Sequence, residues 1–207
     1  NPTTWLNNHD ILNVLEQYDD LRSDFKFIGP TPIDFDSTPL YYYGKCVCQE
    51  LCRMNVDKYL TEGINNVGIV FNLDKHDEPG SHWVSLFVDL DENLVFYYDS
   101  ALNSVPHQVS KLKREIIKQG KQMNPTIPFK YMQNNSAHQT TNPECGMYCL
   151  FFIITFLTKE LETQQKEDSM MGGKKRVSTK DVIKIFTKPG ISDSLMINYR
   201  NKYFNKK

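Results

Sequence analysis

Three residues in this chain have the side chains for nucleophilic catalysis, and each stands at the end of an apolar run. Cys145-Gly146 opens MYCLFFIITFL, His82-Trp83 opens VSLFVDL, and Asp99 closes LVFYY. A thiol attacks a carbonyl only as its thiolate, and a helix N-terminus stabilises that anion through its dipole and unpaired N–H groups. The same N–H groups can receive the negative charge that develops on the attacked oxygen. A histidine and a carboxylate brought in by folding complete the set. His82 takes the Cys145 proton or holds it as an ion pair, and Asp99 fixes the ring and its tautomer. Taken singly the signals are weak, because a lone cysteine at a helix start is usually a small buried hydrophobe. Their order along the chain and their surroundings make the combination specific.

The elements that must position these residues are legible from hydrophobic patterning. Val67–Asn72, His82–Asp89 and Leu94–Asp99 read as strands, and Asp91-Glu92-Asn93 turns the second into the third as a hairpin. Cys145–Thr158 is apolar nearly all round and reads as a central buried helix, too short to span a bilayer. Val105–Gln119 has an amphipathic stripe of Val109, Leu112, Ile116 and Ile117, and Pro128–Met132 can form a further strand. Thr4 is placed to cap a first helix that carries Trp5, Leu6, Ile11, Leu12 and Leu15. Phe25–Phe35, interrupted by Gly29-Pro30 and Pro32, reads as extended loop, and Gln49–Leu60 as one helix. Ser178–Phe186 and Ile191–Phe204 read as closing helices, with Ser178 and Ser192 as caps. Residues 159–177, polar and containing Gly172-Gly173, read as a mobile insertion. The expected architecture is α+β, a central mixed sheet of about four to six strands between helices, as one domain over residues 1–207.

Composition narrows the classes. With 207 residues, 40% hydrophobic and 12% aromatic, the chain can bury a sizeable core and is not a disordered segment. A net charge of −1 gives no reason to expect nucleic-acid binding by the whole molecule. The Lys/Arg-rich stretch from Lys174 to Lys207 reads as solvated surface. Five cysteines, an odd number, favour a reducing intracellular compartment over a secreted disulfide framework. No signal-peptide pattern opens the chain. Cys46, Cys48 and Cys52 lack the paired spacing and nearby histidine of a zinc site and read as thiols on a helix face, so no metal and no cofactor are expected. His138, beside Gln139, is a competing candidate base that points in another direction.

The segments GSHWVSLFVDLDENLVFYYDS and HQTTNPECGMY resemble the His-Trp strand, Asp strand and Gln-x5-Cys-Gly segment of the ubiquitin-like-specific proteases, the SUMO-protease and adenain type. TTWLNNHDI resembles their Trp-Leu-Asn helix entrance. FNLDKHDEPGSHWVSLFVD, YYDSALNSVP, Glu144-Cys145-Gly146 and ISDSLMINYRNKYF are most similar to the polyprotein-processing proteases of African swine fever virus and the giant DNA viruses. Two departures stand out. The swine fever enzyme has Asn where this chain has Asp99, and its long N-terminal arm is either lacking here or lies outside this sequence.

The resemblance implies a cysteine endopeptidase in which Gln139 donates its side-chain N–H to the oxyanion beside the Cys145 N–H. It implies that Trp83 covers the substrate residues before the scissile bond, admitting chain without side chains and so preferring Gly-Gly. Trp5, Asn72 and Gly146 complete the expected substrate-binding set. The implied partner is a viral polyprotein or a ubiquitin-like protein with Gly-Gly at the cleavage site. The implied setting is a virion or a cytoplasmic viral factory, with a monomeric enzyme, no membrane association and no required nucleic acid. Alternatives are removal of ubiquitin or SUMO-like modifiers from host proteins, effector-type protein acetylation, for which no acetyl-coenzyme A site is visible, and a binding-only pseudoenzyme. Gly172-Gly173 could serve as a self-cleavage site, but a flexible loop explains it more simply.

Overall fold

A computed structural model describes residues 4–141, 143–162 and 174–204. Helix α1 spans Asn8–Leu21 and starts from Asn7, not from Thr4. The Asn7 side chain accepts the Asp10 N–H while the Asp10 carboxylate accepts the Asn7 N–H, a reciprocal cap that satisfies two donors at once. Trp5 therefore lies before the helix rather than on its apolar side.

The segment expected as loop is a strand. β1 (Phe25–Pro32) runs parallel to β2 (Asn66–Asn72), and its register shifts between Ile28 and Thr31, around the cis Gly29-Pro30 bond. It lies at the edge of the sheet, where a bulge can accommodate prolines that a central strand would reject. The expected single helix over 49–60 is two pieces, α2 (Gln49–Cys52) and α3 (Val56–Thr61). Asn55 opens α3 by accepting the Lys58 N–H. Cys46 and Cys52 are joined by a disulfide across α2, so these two are not the thiols expected, and Cys48 is left as the free thiol of the three. Backbone bonds from Val47 to Ser37 and from Cys48 to Phe35 fold the preceding loop against the helix and bring the two sulfurs together.

Strands β3 (Trp83–Asp89) and β4 (Leu94–Tyr98) form the expected hairpin, and β5 (Lys130–Gln133) pairs parallel with β4. The sheet is mixed and five-stranded, in the order β1-β2-β3-β4-β5. Its three central strands, β2, β3 and β4, are buried on both sides, which is why they read as continuous apolar runs. On one side Val70, Phe87, Phe96 and Tyr98 pack against α1, α5 (Cys145–Thr158), α6 (Thr179–Thr187) and α7 (Asp193–Phe204). On the other, Ile69, Phe71, Leu86 and Val95 pack against α2, α3 and α4 (His107–Met123).

The centre of the first side is α5, in which every residue from Cys145 to Leu157 is buried. It sits directly on the sheet. A Cβ at Gly68 of β2 would meet Ile153 Cγ2 at 2.9 Å, so only glycine lets helix and strand approach this closely. Ser178 caps α6 through a reciprocal pair with Asp181, and Ser192 Oγ accepts the Leu195 N–H in the first turn of α7. The expected insertion contributes a small antiparallel ribbon, β6 (Glu160–Glu162) with β7 (Lys174–Arg176); Gly172-Gly173 lies outside the described residues.

Candidate active site

Four of the residues singled out for chemistry come from different elements that end at the same edge of the sheet. His82 immediately precedes β3, Asp99 immediately follows β4, Cys145 is the first residue of α5, and Gln139 lies in the loop between β5 and α5. Because β3 and β4 are antiparallel neighbours, the start of one adjoins the end of the other, and His82 Nε2 is 2.6 Å from Asp99 Oδ1. That leaves Nδ1 for the Cys145 thiol, with which the ring interacts. Burial would push the His82 ring toward its neutral form, but the hydrogen bonds and charges of Asp99 and Cys145 together outweigh it and raise its pKa to about 9. For Asp99, burial favours protonation, yet His82 and the N–H groups of Ala101 and Asn103 hold its carboxyl below the usual range. The ring is thus an imidazolium at neutral pH, poised beside a sulfur at a helix start. In the first turn of a helix the backbone N–H groups have no intrahelical carbonyl and remain available to an anion.

The carboxylate is itself held. Asn134, just after β5, accepts the Asp99 N–H at 3.1 Å and donates Nδ2 to the Asp99 carbonyl at 2.7 Å. Ser100 extends the framework: its carbonyl accepts the N–H groups of His138 and Gln139, and its Oγ donates to Gln139 Oε1 at 2.7 Å. Gln139 Nε2 donates one hydrogen to the Thr141 carbonyl at 2.9 Å, which leaves its second hydrogen unassigned. Sequence reasoning passed over Asn134 and Ser100. Their partners lie 35 and 39 residues away, and nothing local to either marks it.

His138 takes no part in this arrangement. Its ring is buried between the Tyr98 hydroxyl at 2.8 Å and the Lys188 carbonyl at 2.8 Å, and burial pushes its pKa down. Cys149, one turn after Cys145, is a fully buried thiol whose pKa burial raises well above the ordinary value.

Trp83 is 4% exposed and donates its indole N–H to the Leu6 carbonyl at 2.9 Å, so the segment before α1 lies against the start of β3. Leu6 also packs on α5: a Cβ on Gly146 would meet Leu6 carbons at 3.0 to 3.3 Å. A cavity of about 410 Å³ opens beside Trp83, lined among others by Asn72, Gly80, Cys48 and His76. Asn72 shapes its mouth by accepting the N–H groups of Asp74 and Ser81 on Oδ1. The His76 ring bonds Asp34 at 2.6 Å on one side and the Tyr41 hydroxyl on the other, a polar cluster that the sequence reading did not anticipate. Trp5, 42% exposed, is not among the residues that line the cavity.

Comparison with known proteins assigns the class. Residues 53–190 match the Ulp1 protease family, C-terminal catalytic domain. A protein of Acanthamoeba polyphaga mimivirus named as a thiol protease is 34% identical over 158 residues, covering 76% of this chain and 49% of that protein. A cysteine protease of African swine fever virus is 35% identical over 91 residues, 43% of this chain and 33% of its own length. The crystal structure of the African swine fever virus protease superposes with a TM-score of 0.70 at 24% identity, covering 99% of this chain and 68% of the other. The SUMO protease Ulp1 superposes with a TM-score of 0.52 at 17% identity, covering 96% of this chain and 80% of that one. These two superpositions establish the fold. The chain belongs to the Ulp1 protease family and is similar to a thiol protease of mimivirus and a cysteine protease of African swine fever virus. The sequence matches span about half the length of the mimivirus relative and about a third of the swine fever one.

Proposed function

We propose that this chain, as a single domain, is a cysteine endopeptidase that cleaves after Gly-Gly in a viral structural polyprotein. The observation that carries the chemistry is the His82 ring, bonded to Asp99 on one nitrogen and facing the Cys145 thiol with the other. In this reading Cys145 attacks the scissile carbonyl as a thiolate and His82 holds its proton. His82 later gives that proton to the leaving amine. A thioester forms as the C–N bond breaks, and water, deprotonated by His82, releases the acid and restores the thiol. Gln139 and the Cys145 N–H receive the oxyanion; losing one such donor costs about 3–4 kcal/mol of transition-state stabilisation in a well-studied serine protease.

The Gly-Gly preference rests on Trp83, whose indole is held at the start of β3 by its bond to the Leu6 carbonyl. Asn72 beside the cavity and Trp5 at the surface complete the proposed substrate path, with Gly146 next to the nucleophile and under Leu6. Among the described residues no helix is long and apolar enough to cross a membrane. The viral relatives are what favours action in a cytoplasmic viral factory or a virion. A second reading, removal of a ubiquitin-like modifier, draws on swine fever relatives named as SUMO-1 cysteine proteases.

The test compares wild type with Cys145→Ala on Gly-Gly-X peptides and on ubiquitin and SUMO C-terminal fluorogenic conjugates. Peptide cleavage that is lost in the variant, with conjugates spared, supports polyprotein processing. Strong preference for a folded modifier replaces it with the second reading. Silence on both, with Cys145 unreactive toward iodoacetamide, removes the nucleophile assignment.

A further inference from the structure

The loop that carries Gln139 is held by a residue of the closing helix more than fifty positions away. Asp193, in the first turn of α7, faces Thr140 and Thr141 with one carboxylate oxygen. Oδ2 receives the Thr140 N–H at 3.1 Å, the Thr141 N–H at 2.9 Å, the Thr140 hydroxyl at 2.5 Å and the Thr141 hydroxyl at 2.9 Å. Oδ1 is 2.9 Å from the Tyr148 hydroxyl, which also lies 3.0 Å from the His138 carbonyl. Tyr148 is on α5, three residues after Cys145. One carboxylate thus joins the closing helix, the Gln139 loop and the nucleophile's helix. Burial alone would favour its protonated form, but the Thr140, Thr141 and Tyr148 donors hold its pKa down, so it serves as an anion.

What Asp193 fixes is Thr141, the residue on whose carbonyl Gln139 leans, held by its own N–H and hydroxyl. Gln139 Nε2 donates to the Thr141 carbonyl, and the Thr141 N–H is bound to Asp193. With Ser100 gripping Oε1 from the Asp99 side, the Gln139 amide is set between two fixed points and its remaining N–H has a defined direction. An oxyanion donor acts only if it is in place before charge develops, so a residue that fixes its support contributes to acyl transfer without touching substrate. We propose that Asp193 is a positioning residue for the oxyanion donor Gln139, acting through Thr141. The proposal rests on the reading of Cys145 as nucleophile and Gln139 as donor.

Two reactions of the same thiol separate positioning from general integrity. Alkylation of Cys145 by iodoacetamide is a displacement at carbon and forms no oxyanion. Acylation by p-nitrophenyl acetate passes through a tetrahedral oxyanion and needs no peptide specificity. In Asp193→Ala we expect the acylation rate to fall about 10- to 100-fold, less than the roughly 100- to 1,000-fold that outright loss of a donor costs, with alkylation within about twofold of wild type. Asp193→Asn retains an oxygen for the two threonines and should recover most of that loss. The double variant Thr140→Val/Thr141→Val, which keeps the carboxylate and only removes hydroxyls, should show a smaller fall of the same kind.

Equal losses in both reactions would mean that Asp193 merely stabilises the fold, and an unchanged acylation rate would mean that it does nothing for Gln139; either overturns the proposal. Wild type that is acylated by the ester but cuts no Gly-Gly peptide defeats the specificity reading alone, and the ester comparison still decides the role of Asp193. Wild-type Cys145 inert to both reagents defeats the nucleophile reading and this proposal with it.

Discussion

Arg200 of α7 and Glu144, the residue immediately before Cys145, form an ion pair at 3.2 Å in which both side chains are more than nine-tenths buried. The closing helix therefore also grips the residue that precedes α5, two turns along from the Asp193 contact. A buried charge left without its partner is costly, whereas replacing both partners with apolar groups is often tolerated. Arg200→Met is expected to destabilise the protein by about 3–5 kcal/mol, and Arg200→Met with Glu144→Leu to recover most of it. Urea denaturation followed by circular dichroism measures both; equal midpoints for the single and double variants would contradict this account.

The raised pKa of His82 has a signed consequence. A group whose folded pKa of about 9 exceeds its ordinary 6.5 contributes stability that is full below 6.5 and lost as pH rises through about 9. The imidazolium beside Cys145 is lost over the same range. Acyl transfer should therefore decline as pH approaches and passes 9. Asp99→Ala removes the strongest bond holding the ring charged while burial persists, so the ring's titration should move to lower pH. An NMR titration of the His82 ring in both proteins checks this; an unmoved midpoint would exclude Asp99 as the cause.

Asn134→Asp tests the clamp on Asp99. The acceptor for the Asp99 N–H is kept, but the Nδ2 donor to its buried carbonyl is lost and a second carboxylate is placed nearby. The expected cost is about 1–3 kcal/mol of stability, with acyl transfer reduced more than alkylation of Cys145. Thermal unfolding and the paired rates provide the readout.

Gly146→Ala adds a Cβ only 3.0 Å from Leu6, whose carbonyl holds the Trp83 indole. Overpacking costs about 1–3 kcal/mol, offset by the roughly 1 kcal/mol that alanine gains over glycine inside a helix. Since Leu6 must shift, the Trp83 bond should loosen. A red shift of tryptophan fluorescence relative to wild type would report it, and an unaltered spectrum with full stability would show that Leu6 yields freely.

The parts of the fold that the sequence displayed are those where burial acts continuously along the chain. Residues 67–72, 82–89 and 94–99 are covered on both faces, and α5 on all sides, so their apolar runs read directly as structure. His82, Asp99 and Cys145 punctuate those runs, which made their places at element ends legible before any contact was known. β1 was hidden because its prolines argue against a strand unless it is known to be an edge. Thr4 and Asn7 are both competent caps, and only the Asp three residues after Asn7 distinguishes the true start. Asn134, Ser100, Asp193 and Arg200 left no trace in local pattern. Each is a polar residue in a loop or on a half-exposed helix, and its meaning comes from a partner 35 to 56 residues distant.

The nucleophile begins the most deeply enclosed helix of the molecule, while the loop that brings Gln139 to it is partly open to solvent. Amide hydrogens of α5 should therefore exchange with deuterium only through global unfolding, whereas those of residues 139–141 should exchange through shallow local openings. One half of the proposed chemistry then has the full thermodynamic protection of the fold, and the other only that of a few side-chain bonds. Mild denaturant should weaken acyl transfer well before it uncovers the thiol's helix.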